Sequence, residues 1–256
     1  MSRPTGMIVY EGASLIGNRA PIVAIATLES GNDKTGNMVQ LWILPAERSP
    51  LSALQSNDNT AICGNCKLQG WFDSKRGKMV NRVCYVNVGQ APEGIYKKFK
   101  RGGYPVYNYR EHKKYLIGRS LRLGAYGDPA ALPVKILRYL VGLSKSHTGY
   151  SHQLWDVPKN RADKIAQYCM VSCENTAQHD EALRRGWRAF TVVRPDQPAP
   201  AKSVECPFYT HGVQCIACKL CKGACSSAKS VYVVAHGKTG LNLSAVQDLA
   251  TVGVAI

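Results

Sequence analysis

Apolar and polar positions follow two different rhythms along this chain, and the rhythm changes near residue 119. Before that point, apolar runs at 7–10, 20–26 and 38–44 are short and separated by Gly and Asn, which predicts strands and a β-rich N-terminal portion over residues 1–118. A helix opens at Ala91-Pro92-Glu93, with Pro in its first turn, and Gly102-Gly103 ends it. From residue 120 onward strand and helix signals alternate. Strands are expected at 120–125, ending in the turn Tyr126-Gly127-Asp128-Pro129, and at 148–152, 169–173, 188–193 and 231–235. Helices are expected at 133–142, where Ile136, Leu137, Leu140 and Val141 make one face, at 158–168, and at 177–185 before Gly186. Residues 195–200 read as a loop, and 241–256 fit a short docking helix or a disordered end equally well. The alternation predicts an α/β protein in which residues 119–256 supply parallel βα units forming a partial barrel or an open sheet. Both portions are expected to join in one integrated domain that carries a C-terminal cysteine-rich metal-binding segment.

In such folds the groups that do chemistry project from the carboxyl ends of the strands. That rule selects Tyr126-Gly127-Asp128, Ser151-His152-Gln153, Cys173-Glu174-Asn175 and His236. Asp128 and Glu174 can serve as acid/base groups and His152 as a proton relay, while Tyr126, Gly127 and Asp128 form a candidate cofactor contact. The competing reading is ordinary turn and N-cap chemistry, which uses the same residue types.

The cysteines change the picture more than any other residue. Cys215, Cys218, Cys221 and Cys225 follow the C-x2-C-x2-C-x3-C spacing of bacterial ferredoxins, except that Ser226 stands where Pro usually follows, and Cys206 lies nine residues upstream. Successive short steps suit a 4Fe-4S cluster better than a tetrahedral zinc ion, which remains the alternative. Cys63, Cys66 and Cys84 form a second set of three. Read as a cubane, it leaves one iron open to a substrate or cofactor. Read as structural zinc, it must recruit a further ligand. Cys169 and Cys173 lie in an apolar stretch and read as small buried hydrophobes.

Charge supplies the partner. The 256 residues carry 33 Lys and Arg against 17 Asp and Glu, a formal +16, and such a surface attracts polyanions. Nine cations and one acid fall between Tyr96 and Arg122, among them Lys97, Lys98, Lys100, Arg101, Arg110, Lys113 and Lys114. Tyr104, Tyr107 and Tyr109 are interleaved with them, a mixture that lets phosphates pair with charge while bases stack on rings. Nucleic acid, DNA or RNA, is the expected partner; the alternative is a solvated basic face with inward tyrosines. No stretch nears the roughly 18 apolar residues of a membrane span, and the N-terminus lacks the layout of a signal peptide, so no membrane partner and a cytoplasmic location are expected. Gly237-Lys238-Thr239 lacks the upstream Gly of a phosphate-binding loop, because position 232 is Tyr. The chain has no G-x-S-x-G, no H-E-x-x-H and no dinucleotide fingerprint, which leaves the common hydrolase and dehydrogenase routes unsupported.

Cys63-Gly-Asn-Cys66, Cys84 through Pro92, Arg122 through Pro129, Gly149-Tyr-Ser-His-Gln153 and the Cys206, Cys215, Cys218, Cys221 set resemble an uncharacterised family of phage- and plasmid-borne cysteine-cluster proteins. That arrangement is distantly similar to radical-SAM-like phage proteins, in which an aromatic residue follows the third cluster cysteine as Tyr85 follows Cys84. The chain departs from the radical-SAM hallmark C-x3-C-x2-C, since two residues separate its first two cysteines and the third lies 18 further on. The resemblance implies a partial barrel, a cubane on Cys63, Cys66 and Cys84 that binds S-adenosylmethionine, and an auxiliary cluster on Cys206, Cys215, Cys218 and Cys221, with Cys225 as a substitute ligand. In it, Gly127-Asp128-Pro129 takes the place of a Gly-Gly-Glu-Pro segment that holds the methionine amino group. The function expected is an iron–sulfur protein acting on nucleic acid as a radical-SAM-like modifying or repair enzyme. The alternative from another class is a non-catalytic nucleic-acid-binding virion or replication protein with structural zinc or iron–sulfur centres.

Overall fold

A computed structural model describes residues 3–224, 227–236 and 243. Strand β1 (Gly6–Ala13), β2 (Pro21–Thr27) and β3 (Val39–Pro45) come first. A long excursion follows, with α1 (Pro50–Gln55), α2 (Thr60–Cys63), the hairpin β4 (Trp71–Asp73) and β5 (Lys78–Val80), α3 (Ala91–Lys100) and the short α4 (Tyr109–His112). The alternating region comprises β6 (Ser120–Tyr126), α5 (Val134–Leu143), β7 (Ser146–Ser151), α6 (Lys159–Ala166), β8 (Met170–Cys173), α7 (Thr176–Arg184) and β9 (Ala189–Val193). Then come β10 (Ser203–Glu205), α8 (Pro207–His211), α9 (Cys215–Cys218) and β11 (Ser230–Val234).

Among the described residues, the sheet has nine strands in the order β1-β2-β3-β6-β7-β8-β9-β11-β10. β1, β2 and β3 are antiparallel neighbours, and every pairing from β3 to the β10 edge is parallel. The protein is thus mixed α/β with a large, mostly parallel sheet and a β-rich start. β2 and β3 are nearly continuous buried apolar runs because they lie inside the sheet, covered on both faces. α5 buries Leu137 and Leu140, with Ile136 and Val141 packed beside them, the face its sequence predicts. β3 pairs directly with β6, so one sheet crosses the predicted boundary at 118/119. Its main core draws on residues from Met7 to Ala189. No helix among the described residues is long and apolar enough to cross a membrane.

Candidate functional site

The excursion after β3 carries the first cysteines to the carboxyl ends of the parallel strands. α2 stops at Cys63 because Gly64 takes φ 53°, in the left-handed region that glycine favours. A Cβ at Gly64 would land on Gln153 Oε1. The Gln153 side chain grips both sides of that glycine: its Nε2 donates to the Cys63 carbonyl at 3.0 Å, and its Oε1 accepts from the Asn65 N–H at 3.3 Å. The Asp128 N–H donates to the Ile62 carbonyl at 2.6 Å. Cys84 is brought back to the first two cysteines when the N–H groups of Val83 and Cys84 both donate to the Leu68 carbonyl, at 3.0 and 2.8 Å. Arg82 fixes this return by donating to the carbonyls of Gln69 and Val86, at 3.0 and 2.8 Å.

Cys63, Cys66 and Cys84 therefore share one electrostatic environment. Burial pushes all three thiols up, Cys66 to about 12, and the neighbouring sulfurs add to the shift at Cys63. The Arg82 cation opposes it at Cys63 and Cys84. Backbone N–H groups point at the sulfurs, from Leu68 and Gln69 to Cys66 and from Val86 to Cys84. The Asn59 amide donates to Cys63 Sγ at 3.2 Å. Left to themselves these sulfurs are neutral thiols; bound to a metal they lose their protons outright. Donors aimed at sulfur from backbone and amide are the second layer that cluster thiolates use, so the donor set fits a thiophilic metal. As placed, no three Cys, His, Asp or Glu side chains among the described residues gather tightly enough to hold a single ion.

Three of the four places expected at the strand ends meet around these thiols. Asp128 Oδ1 accepts from the Ala130 N–H at 2.8 Å and the Ser151 hydroxyl at 2.7 Å, and its Oδ2 accepts from the His152 N–H at 2.7 Å. Both oxygens are thereby engaged in holding two loops together, so the carboxylate positions the site. Burial pushes the Asp128 carboxyl up and the His152 imidazole down. The Glu174 carboxylate accepts the Lys67 N–H, which ties the residue after Cys66 to the end of β8, and burial raises it too. Asn175 caps α7 by accepting from the Gln178 N–H at 2.9 Å, while Gln178 accepts from the Glu174 N–H at 2.8 Å, a reciprocal capping arrangement. Turn chemistry and site placement thus coexist in the same residues. Tyr126 is buried, with its phenol 3.4 Å from the Asn59 amide, and burial raises it; a Cβ at Gly127 would meet the Ile43 carbonyl. His236 lies elsewhere, against Tyr85 and Tyr209.

The second cysteine segment faces the first across a small shared core in which Leu68 and Val83 pack with Cys206 and Cys221. The Cys206 N–H donates to the Tyr232 carbonyl at 2.9 Å, and the Cys215 N–H to the Lys34 carbonyl at 2.9 Å. The Tyr150 phenol donates to Cys221, whose carbonyl accepts from the Gly149 N–H at 2.9 Å. Arg188 clasps this segment through the carbonyls of Lys222 and Lys229, at 2.6 and 2.5 Å. Burial pushes Cys221 to about 12, and Cys206, Cys215 and Cys218 add to the shift, so four sulfurs share this second environment. Cys225 lies outside the described residues. Cys169 and Cys173 are buried in the main core, as expected of small hydrophobes.

The basic aromatic segment departs from its sequence reading. Tyr104 is only 7% exposed and offers no face to a base, because it packs into the main core. Tyr107 bonds the Tyr139 hydroxyl at 2.7 Å. The lysines lie over tyrosines of their own segment: Lys98 is 5.2 Å from the Tyr104 ring, Lys114 5.1 Å from Tyr115, and Lys113 4.7 Å from Tyr109 with a 2.8 Å bond to its hydroxyl. Lys100 covers Phe99 in the same way, at 5.7 Å. Lys97, Arg101 and Arg110 remain exposed, as does Tyr109 at 55%, so the segment presents charge with one open tyrosine while its other tyrosines are buried or half-buried. Comparison with protein-family models, curated proteins and solved structures finds no match to this chain. Sequence reasoning placed Gln153 at a strand end without its grip on the Cys63 turn, and it gave no role to Asn59, Arg82 or Tyr150.

Proposed function

We propose that this chain is an iron–sulfur protein acting on nucleic acid, a radical-SAM-like enzyme whose parallel strands form a partial barrel. One observation carries the reading: the excursion after β3, where the parallel run begins, delivers three thiols to the carboxyl ends of β6, β7 and β8. Cys63, Cys66 and Cys84 would hold a 4Fe-4S cluster, and Cys206, Cys215, Cys218 and Cys221 a second. With S-adenosylmethionine bound and an external one-electron donor, such a centre supplies reductive cleavage of a sulfonium C–S bond and so a carbon radical. The chain's own residues supply the setting. Arg82 and the N–H groups of Leu68, Gln69 and Val86 stabilise negative charge on the sulfurs. Asp128 holds the Ser151-His152 loop, and Glu174 holds the cysteine loop by its Lys67 N–H. His152, half-buried and within the field of the Asp128 and Glu174 carboxylates, would hold or pass a proton. The +16 charge draws a polyanionic substrate.

Iron and acid-labile sulfide in anaerobically purified protein, with electron paramagnetic resonance of the reduced sample before and after S-adenosylmethionine, tests this. About eight irons and a signal that the methionine derivative alters are expected. Cys63→Ala should abolish that response, whereas Cys215→Ala should leave it. Stoichiometric zinc, or iron whose spectrum ignores S-adenosylmethionine, refutes the enzyme and leaves a binding protein with structural centres.

A further inference from the structure

Two tyrosines beside the cysteine sets are held at the surface rather than in the core. Tyr85, adjacent to Cys84, is 48% exposed, and Tyr209 of α8 is 44% exposed. His236, at the end of β11, joins them. Its ring stacks on Tyr85 at 5.2 Å between centroids with planes 23° apart, and lies 4.5 Å from Tyr209. The His236 backbone N–H donates to the Tyr85 phenol. The Lys34 ammonium sits 4.2 Å from the Tyr209 centroid. Four chain segments thus build a row of rings with a cation at one end. Tyr85 also lines a cavity of about 380 Å³ together with Arg82, Cys84 and Asn87, near the lower end of small-ligand site volumes.

A solvent-facing row of rings with a cation is what single-stranded nucleic acids use, because every base has a stackable face and every linkage a negative phosphate. Of the tyrosines in residues 96–115 only Tyr109 is exposed, at 55%, and among the described residues it adjoins no other ring, whereas Tyr85, His236 and Tyr209 adjoin one another. The cavity is distinct from the candidate cofactor contact at Tyr126, Gly127 and Asp128, none of which lines it. We infer that Tyr85, His236 and Tyr209 form a stacking platform for the bases of a single-stranded nucleic acid, with Lys34 meeting a phosphate and the Tyr85 cavity receiving one base next to Cys84. This rests on the reading of the chain as a protein acting on nucleic acid, and it names the form of that substrate and where it lies.

The test is titration of the full-length, anaerobically purified chain into a single-stranded oligonucleotide carrying 2-aminopurine, whose fluorescence is quenched on stacking. Wild type should bind and quench. Tyr85→Leu and Tyr209→Leu should each weaken binding about 5- to 150-fold, the range for one lost base–aromatic stack, and Tyr85→Leu should abolish quenching. Tyr85→Phe should keep both. Lys34→Gln should flatten the salt dependence by about one phosphate contact. Both tyrosines are half-exposed, so unchanged melting temperatures confirm that the variants fold. Wild-type binding in the tyrosine variants, with loss instead in Lys113→Gln/Lys114→Gln, overturns the platform and leaves the nucleic-acid reading intact. Equal binding of duplex overturns the single-strand assignment, and competition by adenosine monophosphate or S-adenosylmethionine at the strand's own affinity assigns the rings to a mononucleoside and overturns it too. No binding of any oligonucleotide by wild type refutes platform and nucleic-acid reading together.

Discussion

Gly64→Ala should be among the most damaging single-methyl changes in this protein, and the reason can be separated into parts. The backbone at Gly64, φ 53° and ψ −133°, is one that residues with a Cβ avoid, at a cost of about 2 kcal/mol. The added methyl also evicts the Gln153 amide, which ends its bonds to the Cys63 carbonyl and the Asn65 N–H, at about 1 kcal/mol each. The total is about 4 kcal/mol, half from strain and half from the lost clamp. Gln153→Ala alone should cost about 2 kcal/mol, since it removes the same two bonds. The double variant should then cost about 4 kcal/mol rather than the additive 6, because the clamp can be lost only once. Urea denaturation of all four proteins, with unchanged slope between them, measures this. A double variant near 6 kcal/mol, or a Gly64→Ala cost below about 1 kcal/mol, refutes the account of the Cys63 turn.

Three further outcomes follow from other contacts. The His147 ring is held by burial near a pKa of about 4, with one N–H donated to the Tyr168 carbonyl and its Nε2 buried without a partner. The unfolded chain takes up that proton near pH 6.5, so between about 6.5 and 4 the unfolded state holds more protons and stability falls as pH drops, by about 3 kcal/mol in all. His147→Leu should flatten this part of the pH–stability curve, and an unchanged curve would disprove it. Asp128→Asn replaces an accepting oxygen with a nitrogen that faces N–H or O–H donors; a loss of about 2 kcal/mol in thermal unfolding is expected, whereas unchanged melting would mean that the carboxylate is not the clamp described. Arg188→Met cuts the bonds to the Lys222 and Lys229 carbonyls and should cost about 3 kcal/mol while speeding proteolysis between residues 222 and 229; resistance equal to wild type would contradict it.

The alternating half of the fold was legible because its signals are local. The helix expected at 133–142 is α5 (Val134–Leu143), the one at 177–185 is α7 (Thr176–Arg184), and the strand at 231–235 is β11 (Ser230–Val234). Turn chemistry also announced Asp128 and Asn175, but not that Asp128 spends both oxygens on neighbouring loops. What stayed hidden depends on partners distant in sequence. Nothing near Cys84 shows that its strand-like neighbours return to Leu68, and nothing near Tyr85 shows that His236, 151 positions later, stacks on it. Composition counts Tyr104 and Tyr109 alike, although the first is buried and the second exposed, because it does not record what covers a ring. The placement of β11 between β9 and β10 likewise inverts chain order, which local patterns do not encode.

The pairing of β3 with β6 sets the order in which this chain can assemble. The two strands are hydrogen-bonded neighbours, yet residues 46–119 lie between them. During synthesis the antiparallel hairpins of β1, β2 and β3 can close as soon as they emerge, but the outer rim of β3, apolar and unpaired, must wait for some 74 more residues. Closing so long a span is opposed by chain entropy and slows folding, since contacts of high sequence separation form late. An immature chain therefore presents a sticky β edge until β6 arrives, and the Ile62–Asp128 and Cys63–Gln153 bonds act as latches that secure the excursion after that edge is covered. Expression that outpaces this closure should show up as aggregation, relieved by slower synthesis at lower temperature.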